Sequence, residues 1–276
     1  METGVLYVVA TPIGNMEDIT LRAIRILEEV DLVAAEDTRR THRLLKHLDI
    51  KTKMISFHEH SGKTKEDKII ESLLFGESVA LVSDAGTPLI SDPGADLVSR
   101  AVDEGIKVIP IPGACAAIAA LSASGIFEGS FLFEGFLPTK SKDRKKAIEG
   151  IKAQAKTIVL YEAPHRIIRT LNDLKSSLGE KRRIVIGREI TKIYEEFIRG
   201  SIGEVLEKLE SKEVKGEIVI IISAEEKRKV EVSDEEIIRF LKAEMKKGAT
   251  KKDAVIKTAS SLNVCKNRVY KLSLNH

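Results

Sequence analysis

The chain has 276 residues, 43% of them hydrophobic and 4% aromatic, with no Trp and a net charge of +3. That length supports one large domain or two to three smaller ones with proper cores. There is no run of about 18 uncharged apolar residues and no basic-then-apolar order at the N-terminus, so no membrane span or signal peptide is expected, and the expected location is cytoplasmic.

The first half reads as alternating strand and helix, the pattern of a parallel α/β sheet. Strands are expected at Val5–Ala10, Leu32–Ala35, Lys53–Phe57, Val79–Ser83 and Lys107–Ile111, with helices over 20–30, 38–48, 64–75 and 95–104. Three of these strands run into loops of Pro, Gly and small residues: Thr11-Pro12-Ile13-Gly14-Asn15, Asp84-Ala85-Gly86-Thr87-Pro88-Leu89-Ile90-Ser91-Asp92-Pro93-Gly94, and Pro112-Gly113-Ala114-Cys115-Ala116-Ala117. One such loop is an ordinary corner. Three of them on one sheet suggest a ligand crevice, because small residues let backbone approach a ligand and Gly adopts dihedrals other residues avoid. The stretch Ala116–Ser124, nearly all Ala, Leu and Ser, should form a helix slim enough to press against a sheet.

A second set of elements opens at Phe131–Phe136. Thr139–Ala155 is expected to be a basic helix, followed by strand Thr157–Tyr161, helix Ala163–Leu178, strands Arg183–Arg188 and Glu195–Ser201, helix Ile202–Lys212 and strand Glu217–Ser223. This set should contain more antiparallel pairing. A charged linker over 224–232 leads to Ser233-Asp234-Glu235-Glu236, a capping-box pattern, and three short helices. On the first, Ile237, Ile238, Leu241 and Met245 should face inward; Gly248 should end it and Thr250 should cap the second. The expected fold class is thus α/β: two α/β domains, 1–118 and 119–225, and a small helix-turn-helix-like domain over 233–276.

Charge is uneven along the chain. From Arg239 to His276 ten basic residues face two acidic ones, a tail of +8, whereas residues 1–238 carry 35 basic and 40 acidic side chains, or −5. A basic tail on a mildly acidic body suggests a polyanionic partner. A small solvated helical cap fits the same pattern equally well. Cys115 and Cys265 make neither metal-ligand spacing nor a disulfide framework, and the His58-x-His60 pair has no recognisable cluster of further ligands, so no metal is expected.

The three loops, in this order, resemble those of the tetrapyrrole methylase family, methyltransferases that use S-adenosylmethionine (SAM). The family's first strand, loop and helix match Tyr7–Asn15 and Thr20-Leu21-Arg22-Ala23; its Gly-Asp-Pro stretch falls on Gly86-Thr87-Pro88, and its Pro-Gly motif on Pro112-Gly113-Ala114. The chain departs from tetrapyrrole-modifying members at the first loop and at Thr87, where they carry Asp. These departures resemble a branch that methylates ribosomal RNA. Its marks are Ala35-Glu36-Asp37-Thr38-Arg39, Phe57-His58-Glu59-His60, Ser83–Pro88, Tyr161–Arg166, Arg188–Lys192 and Lys215–Val219.

The resemblance covers residues 4–225 and implies two α/β domains with SAM between them, a homodimer, and methylation of the ribose 2′-hydroxyl of a cytidine in the decoding region of 16S rRNA in the small ribosomal subunit. It implies a cofactor site at Ser83, Asp84, Ala85, Gly86, Thr87, Pro88, Ser91 and Ala114, with Pro12, Ala114 and Ala116 lining an adenine slot and Glu162 and Gly216 contributed by the second domain. A hydroxyl nucleophile benefits from losing its proton during attack. Asp37 and His58, ending neighbouring strands, are therefore the chosen bases, with Glu59, Glu162 and His165 as further candidates and Lys192 or Arg39 as a cation for the alkoxide. Arg39, Arg40, Arg43, Arg144, Arg166, Lys251, Lys252 and Arg268 are the expected RNA contacts. The low aromatic content disfavours a flat macrocycle. The alternatives kept open are a SAM enzyme acting on a tetrapyrrole or a modified protein side chain, and a nucleic-acid-binding protein with a vestigial pocket.

Overall fold

A computed structural model describes residues 2–58, 61–211, 213–225, 232–262 and 264–274. By its contacts the chain divides into two compact units, the first ending at Glu225.

The first unit contains two five-stranded sheets. Strands β1 (Val5–Val9), β2 (Leu32–Ala35), β3 (Lys53–Ser56), β4 (Val79–Val82) and β5 (Lys107–Ile111) form an all-parallel sheet in the order β3-β2-β4-β1-β5. Helices α1 (Leu21–Glu29), α2 (Thr38–His47), α3 (Gly62–Leu74) and α4 (Ala95–Asp103) connect the strands. β4 is buried along its whole length, as a central strand covered on both faces must be. One face packs Val9, Val33, Ala80 and Val82 against Ile26 and Leu27 of α1; the other packs Leu6, Val79 and Leu81 against Ile69, Leu73 and Leu97 of α3 and α4.

The second sheet has the order β6-β7-β10-β8-β9, from β6 (Phe131–Phe136), β7 (Thr157–Glu162), β8 (Arg183–Arg188), β9 (Glu196–Ser201) and β10 (Ile218–Ile222). Only β6 and β7 pair in parallel; β10 runs antiparallel to both β7 and β8, and β9 antiparallel to β8. One face is covered by α6 (Ser141–Lys152), α7 (Ile167–Leu178) and α8 (Ile202–Glu210), whose Ile148, Leu171 and Val205 are buried on it. A capping box joins Ser201 and Glu204 at the start of α8. The opposite face receives α5 (Ala116–Ala123), the small-sided helix, through Ala117, Ala120 and Leu121. Arg199 of β9 donates to the Ala123 and Ser124 carbonyls at 2.6 and 3.2 Å and so pins the end of α5.

Two expected helices differ from those observed. The stretch Ala163–Leu178 opens with a 3₁₀ turn over Pro164–Arg166 before α7 begins, because Pro164 is suited to the first turn rather than to a helix interior. The basic helix expected over Thr139–Ala155 spans only Ser141–Lys152.

The second unit is built from α9 (Asp234–Lys246), α10 (Lys251–Ser261) and α11 (Lys266–Leu274), packed on Ile237, Leu241, Ala254, Val255 and Val269. Ser233 caps α9 and Thr250 caps α10 through the expected side-chain hydrogen bonds. Met245, expected to face inward, is exposed one turn beyond Leu241.

Candidate active site

The loops after β1, β4 and β5 are cross-linked at the C-terminal edge of the parallel sheet. Thr11 and Gly86 exchange backbone hydrogen bonds of 2.8 and 3.0 Å, and the Thr87 hydroxyl donates to the Ala114 carbonyl at 3.1 Å. Gly113 sits where a Cβ would lie 2.9 Å from Cβ of Ala10, so only Gly permits this closeness. Within the 83–94 loop, Gly86 has φ +84°, while Leu89 and Ser91 take φ of +71° and +72°. Left-handed non-Gly residues of this kind cost on the order of 1–3 kcal/mol each and persist only where their surroundings hold them. Part of that hold comes from the second sheet: a Cβ on Gly135, at the bulge of β6, would meet Ser91 Oγ at 2.9 Å.

Between this loop cluster and the second sheet lies a cleft of about 390 Å³. Its apolar walls are Ile13, Ala116, Ile190 and Val219, with Phe136 and Tyr161 at 5.6 Å ring separation. Tyr161 is anchored by a 3.2 Å hydrogen bond from the Ala117 amide to its hydroxyl, which burial, and then Cys115, keep firmly protonated. The polar wall carries Glu36, Asp84, Asp92, Thr87 and Arg40. The Asp84 amide donates to Glu36 at 3.1 Å, the Asp37 amide donates to the Asp84 carboxylate at 3.0 Å, and Arg40 pairs with Asp84 at 3.4 Å. Burial, followed by the charge of Glu36, pushes the Asp92 carboxyl up to about 6, against a hydrogen bond from Ser83 that lowers it.

Of the residues expected around the cofactor, Asp84, Ala85, Gly86, Thr87, Ser91 and Ala116 line the cleft. Pro12 and Ser83 instead line a smaller cavity of about 130 Å³, which shares Arg40 and Asp84 with the cleft. Pro88 and Ala114 line neither; Pro88 is buried, and Ala114 serves as the acceptor for Thr87. Glu162 stands at the cleft wall, but its carboxylate is fully enclosed by Arg166 at 3.2 Å, Thr170 at 2.6 Å and the Ala163 amide at 2.8 Å, which gives it the work of holding the Pro164–Arg166 turn. Gly216 also lines neither cavity: its φ is +89° and a Cβ there would strike Glu189 at 2.4 Å, so it makes room for that side chain.

The expected bases are displaced. The Asp37 carboxylate caps α2 by accepting from the Arg39 amide at 2.9 Å and pairs with the Arg39 guanidinium at 2.7 Å. Arg39 holds it far below the ordinary carboxylate range, which makes Asp37 a very weak base. His58 follows β3 on the sheet's outer strand, its amide donating to Ser61 Oγ at 2.7 Å, and it lines neither cavity. Glu59 lies outside the described residues. Lys192 bridges Glu189 at 2.9 Å and Glu217 at 3.0 Å; burial alone would lower its ammonium, but these carboxylates outweigh it and hold it above its ordinary value. Gly14 leaves the space that the Lys192 stem fills, so the lysine braces the second sheet against the first loop.

Two of the expected RNA contacts are committed within the protein, Arg144 buried and Arg166 partly so. Arg144 is 2% exposed and paired with Asp173 at 2.7 Å, and Arg166 is committed to Glu162 and the Leu137 carbonyl. Arg39, Arg40 and Arg43 are exposed on α2, as are Lys251 and Lys252 on α10, while Arg268 pairs with Asp234 at 2.6 Å. Asp92, Tyr161, Ile190 and Val219 were absent from the expected site. Asp92 belongs to a loop whose sequence points to a ligand; Tyr161 and Val219 need the register of the second sheet, and Ile190 the path of the loop after β8. Among the described residues no group of His, Cys, Asp and Glu is arranged to hold a metal, and no helix is long and apolar enough to cross a membrane.

Residues 5–206 match the family model of tetrapyrrole (corrin/porphyrin) methylases. Proteins called ribosomal RNA small subunit methyltransferase I are similar over almost the whole chain: that of Halalkalibacterium halodurans is 46% identical, covering 98% of this chain and 95% of its own. The Escherichia coli O157:H7 protein is 42% identical, covering 98% and 95%. Among solved structures, uroporphyrin-III C-methyltransferase from Thermus thermophilus complexed with S-adenosylhomocysteine superposes with a TM-score of 0.57 at 18% identity, covering 80% of this chain and 97% of that one. A cobalt precorrin-4 methyltransferase gives 0.60 at 15%, covering 79% and 94%.

Proposed function

The chain belongs to the tetrapyrrole methylase family of SAM-dependent methyltransferases, and we propose that it methylates ribosomal RNA of the small subunit, at the ribose 2′-hydroxyl of a cytidine in the decoding region. The cleft fits the cofactor. Its volume of about 390 Å³ lies in the range of small-molecule sites. Its aromatic and aliphatic side suits a purine, and its carboxylate side suits a cation. Gly86 supplies backbone that a Cβ would obstruct, 3.2 Å from Ile13. Bound there, SAM supplies an electrophilic methyl group. The chain's own residues position the acceptor, exclude water and take up a proton; positioning alone accounts for much of such a rate.

The observation that carries an RNA substrate is the basic helix at the cleft wall. Asp37 caps α2, so Arg39, Arg40 and Arg43 stand exposed in its first turns, with Arg40 itself lining the cleft. Exposed guanidinium groups recognise phosphate. The test is to incubate the protein with labelled SAM and small ribosomal subunits, digest the RNA and locate the methyl group by mass spectrometry. A methyl on the ribose 2′-oxygen of a single cytidine is expected; a methyl on a base, or on a tetrapyrrole instead of RNA, overturns the reading. Replacing Arg39 and Arg43 by Gln should flatten the dependence of log affinity on log salt by about 0.7–0.9 per lost phosphate contact.

A homodimer is proposed with it. Ile193 and Tyr194 are 95% and 72% exposed and Ile118 and Phe127 about half exposed, an amount of uncovered apolar surface that a second copy can bury. Light scattering at micromolar concentration should give twice the chain mass; a monomer mass refutes it. A cytoplasmic location accords with a ribosomal substrate.

A further inference from the structure

We infer that the carboxylate of Asp92 accepts the proton of the attacking hydroxyl in the methyl-transfer step. The inference rests on the reading of the product as an oxygen-methylated ribose. In that step the hydroxyl oxygen bonds to the methyl carbon as the sulfur–methyl bond breaks, sulfur keeps the bond pair and loses its charge, and the hydroxyl proton passes to Asp92 and then to water.

The geometry singles out Asp92 among the carboxylates of the cleft. Glu162 is enclosed by three partners, and Glu217 is paired with Lys192 at 3.0 Å. Glu36 accepts the Asp84 amide, and Asp84 in turn accepts the Asp37 amide and faces Arg40. Asp92 lines the same cleft, half-buried, one residue after Ser91 in its left-handed conformation. The positive φ of Leu89 and Ser91, and the space left by Gly135, hold its segment against the second sheet. Stored backbone strain at this point aims a side chain that an ordinary turn would leave in solvent. The groups facing it are Glu36 from the end of β2, Ser83 and Asp84 from the end of β4, and Tyr161 from β7. Two of these are like-charged and Tyr161 stays neutral, so a proton arriving at Asp92 relieves repulsion. A carboxyl raised to about 6 lies nearer the operating pH than an ordinary carboxylate, and a general base works best when its pKa approaches that pH.

The test uses Asp92→Asn, which keeps size and removes basicity. Single-turnover methylation of small subunits should fall about 10²–10⁴-fold. SAM affinity by calorimetry should fall far less than the rate, by about tenfold at most, since Glu36 and Asp84 keep negative charge on the wall that faces the cation. The wild-type rate should decline below about pH 6 with a one-proton slope, and the variant's residual rate should lack that limb. A further readout needs no turnover. Because folding raises the Asp92 pKa, its charged form is penalised in the native state above about 6, and the penalty vanishes below the ordinary value of 3.8. The melting temperature of Asp92→Asn should therefore exceed that of the wild type at pH 8 and match it at pH 3.5. A near-normal rate in the variant, or a wild-type rate flat from pH 5 to 8, overturns the inference; the wild-type profile decides the matter even if the variant folds poorly. Wild-type product carrying its methyl on a base would instead overturn the reading of the reaction.

Discussion

Gly86→Val is expected to abolish SAM binding, a loss of at least about 100-fold, while the protein remains folded. The residue stands at φ +84° at the centre of the loop cluster and exchanges backbone hydrogen bonds with Thr11, so its dihedrals cannot relax without separating two loops. A β-branched residue at positive φ is a genuine outlier, and left-handed geometry costs an L-residue roughly 1–2 kcal/mol before any contact is counted. A Cβ there would lie 3.2 Å from Cγ2 of Ile13 and 3.6 Å from the Ala114 oxygen, and valine adds two methyl groups beyond it. Either the methyl groups project into the cleft or the Thr11–Gly86 bridge opens; both destroy the cofactor's seat. Gly86→Ala should lie between, with the strain but little of the obstruction. Titration calorimetry and a melting curve separate binding from folding. Unchanged SAM affinity in Gly86→Val would show that the cofactor does not bind against this loop.

The sequence shows the sheets more readily than the walls of the cleft. A run such as Ile218–Ile222 can hardly be anything but a central buried strand, and the small residues at the ends of β1, β4 and β5 mark backbone that must be approached closely. What a loop pattern cannot convey is which side chains meet across it. Tyr161 and Val219 are separated by 58 positions, yet they are register partners of β7 and β10, and both line the cleft. The choice between Asp37 and Asp92 turns on the same distinction. Both are carboxylates in segments that follow a strand of the parallel sheet, but Asp37 directly precedes a helix, and that position directs an Asp to cap amides. A capping, ion-paired carboxylate is acidified; one that is half-buried, and then set beside like charges, is made more basic. Arg144 illustrates the converse error. In a run of Lys and Arg it looks like one more surface cation, but the helical period turns it toward Ile148 and Ile151 on the buried side.

Asp173→Ala is accordingly expected to be the most destabilising of the charge deletions, while leaving the RNA interaction untouched. Arg144 of α6 is 2% exposed; its Nε donates to Asp173 of α7 at 2.7 Å, and its Nη1 to the Thr139 carbonyl at 3.2 Å. Deleting the aspartate leaves a buried guanidinium with the Thr139 carbonyl but no countercharge, and a buried ion pair broken on one side costs about 3–5 kcal/mol. Asp173 is itself 22% exposed, so water reaches the site, and a loss of about 2–3 kcal/mol is the better expectation. For a unit of this size that lowers the melting temperature by roughly 4–12 °C. Removing both partners, as Arg144→Met with Asp173→Ala, should recover much of the loss, because a methionine in the same space needs no countercharge. The slope of log RNA affinity against log salt should be the same in the wild type and in both variants. A stable Asp173→Ala protein, together with a salt slope flattened by Arg144→Met, would place Arg144 on the RNA after all and refute the interior role that its burial assigns.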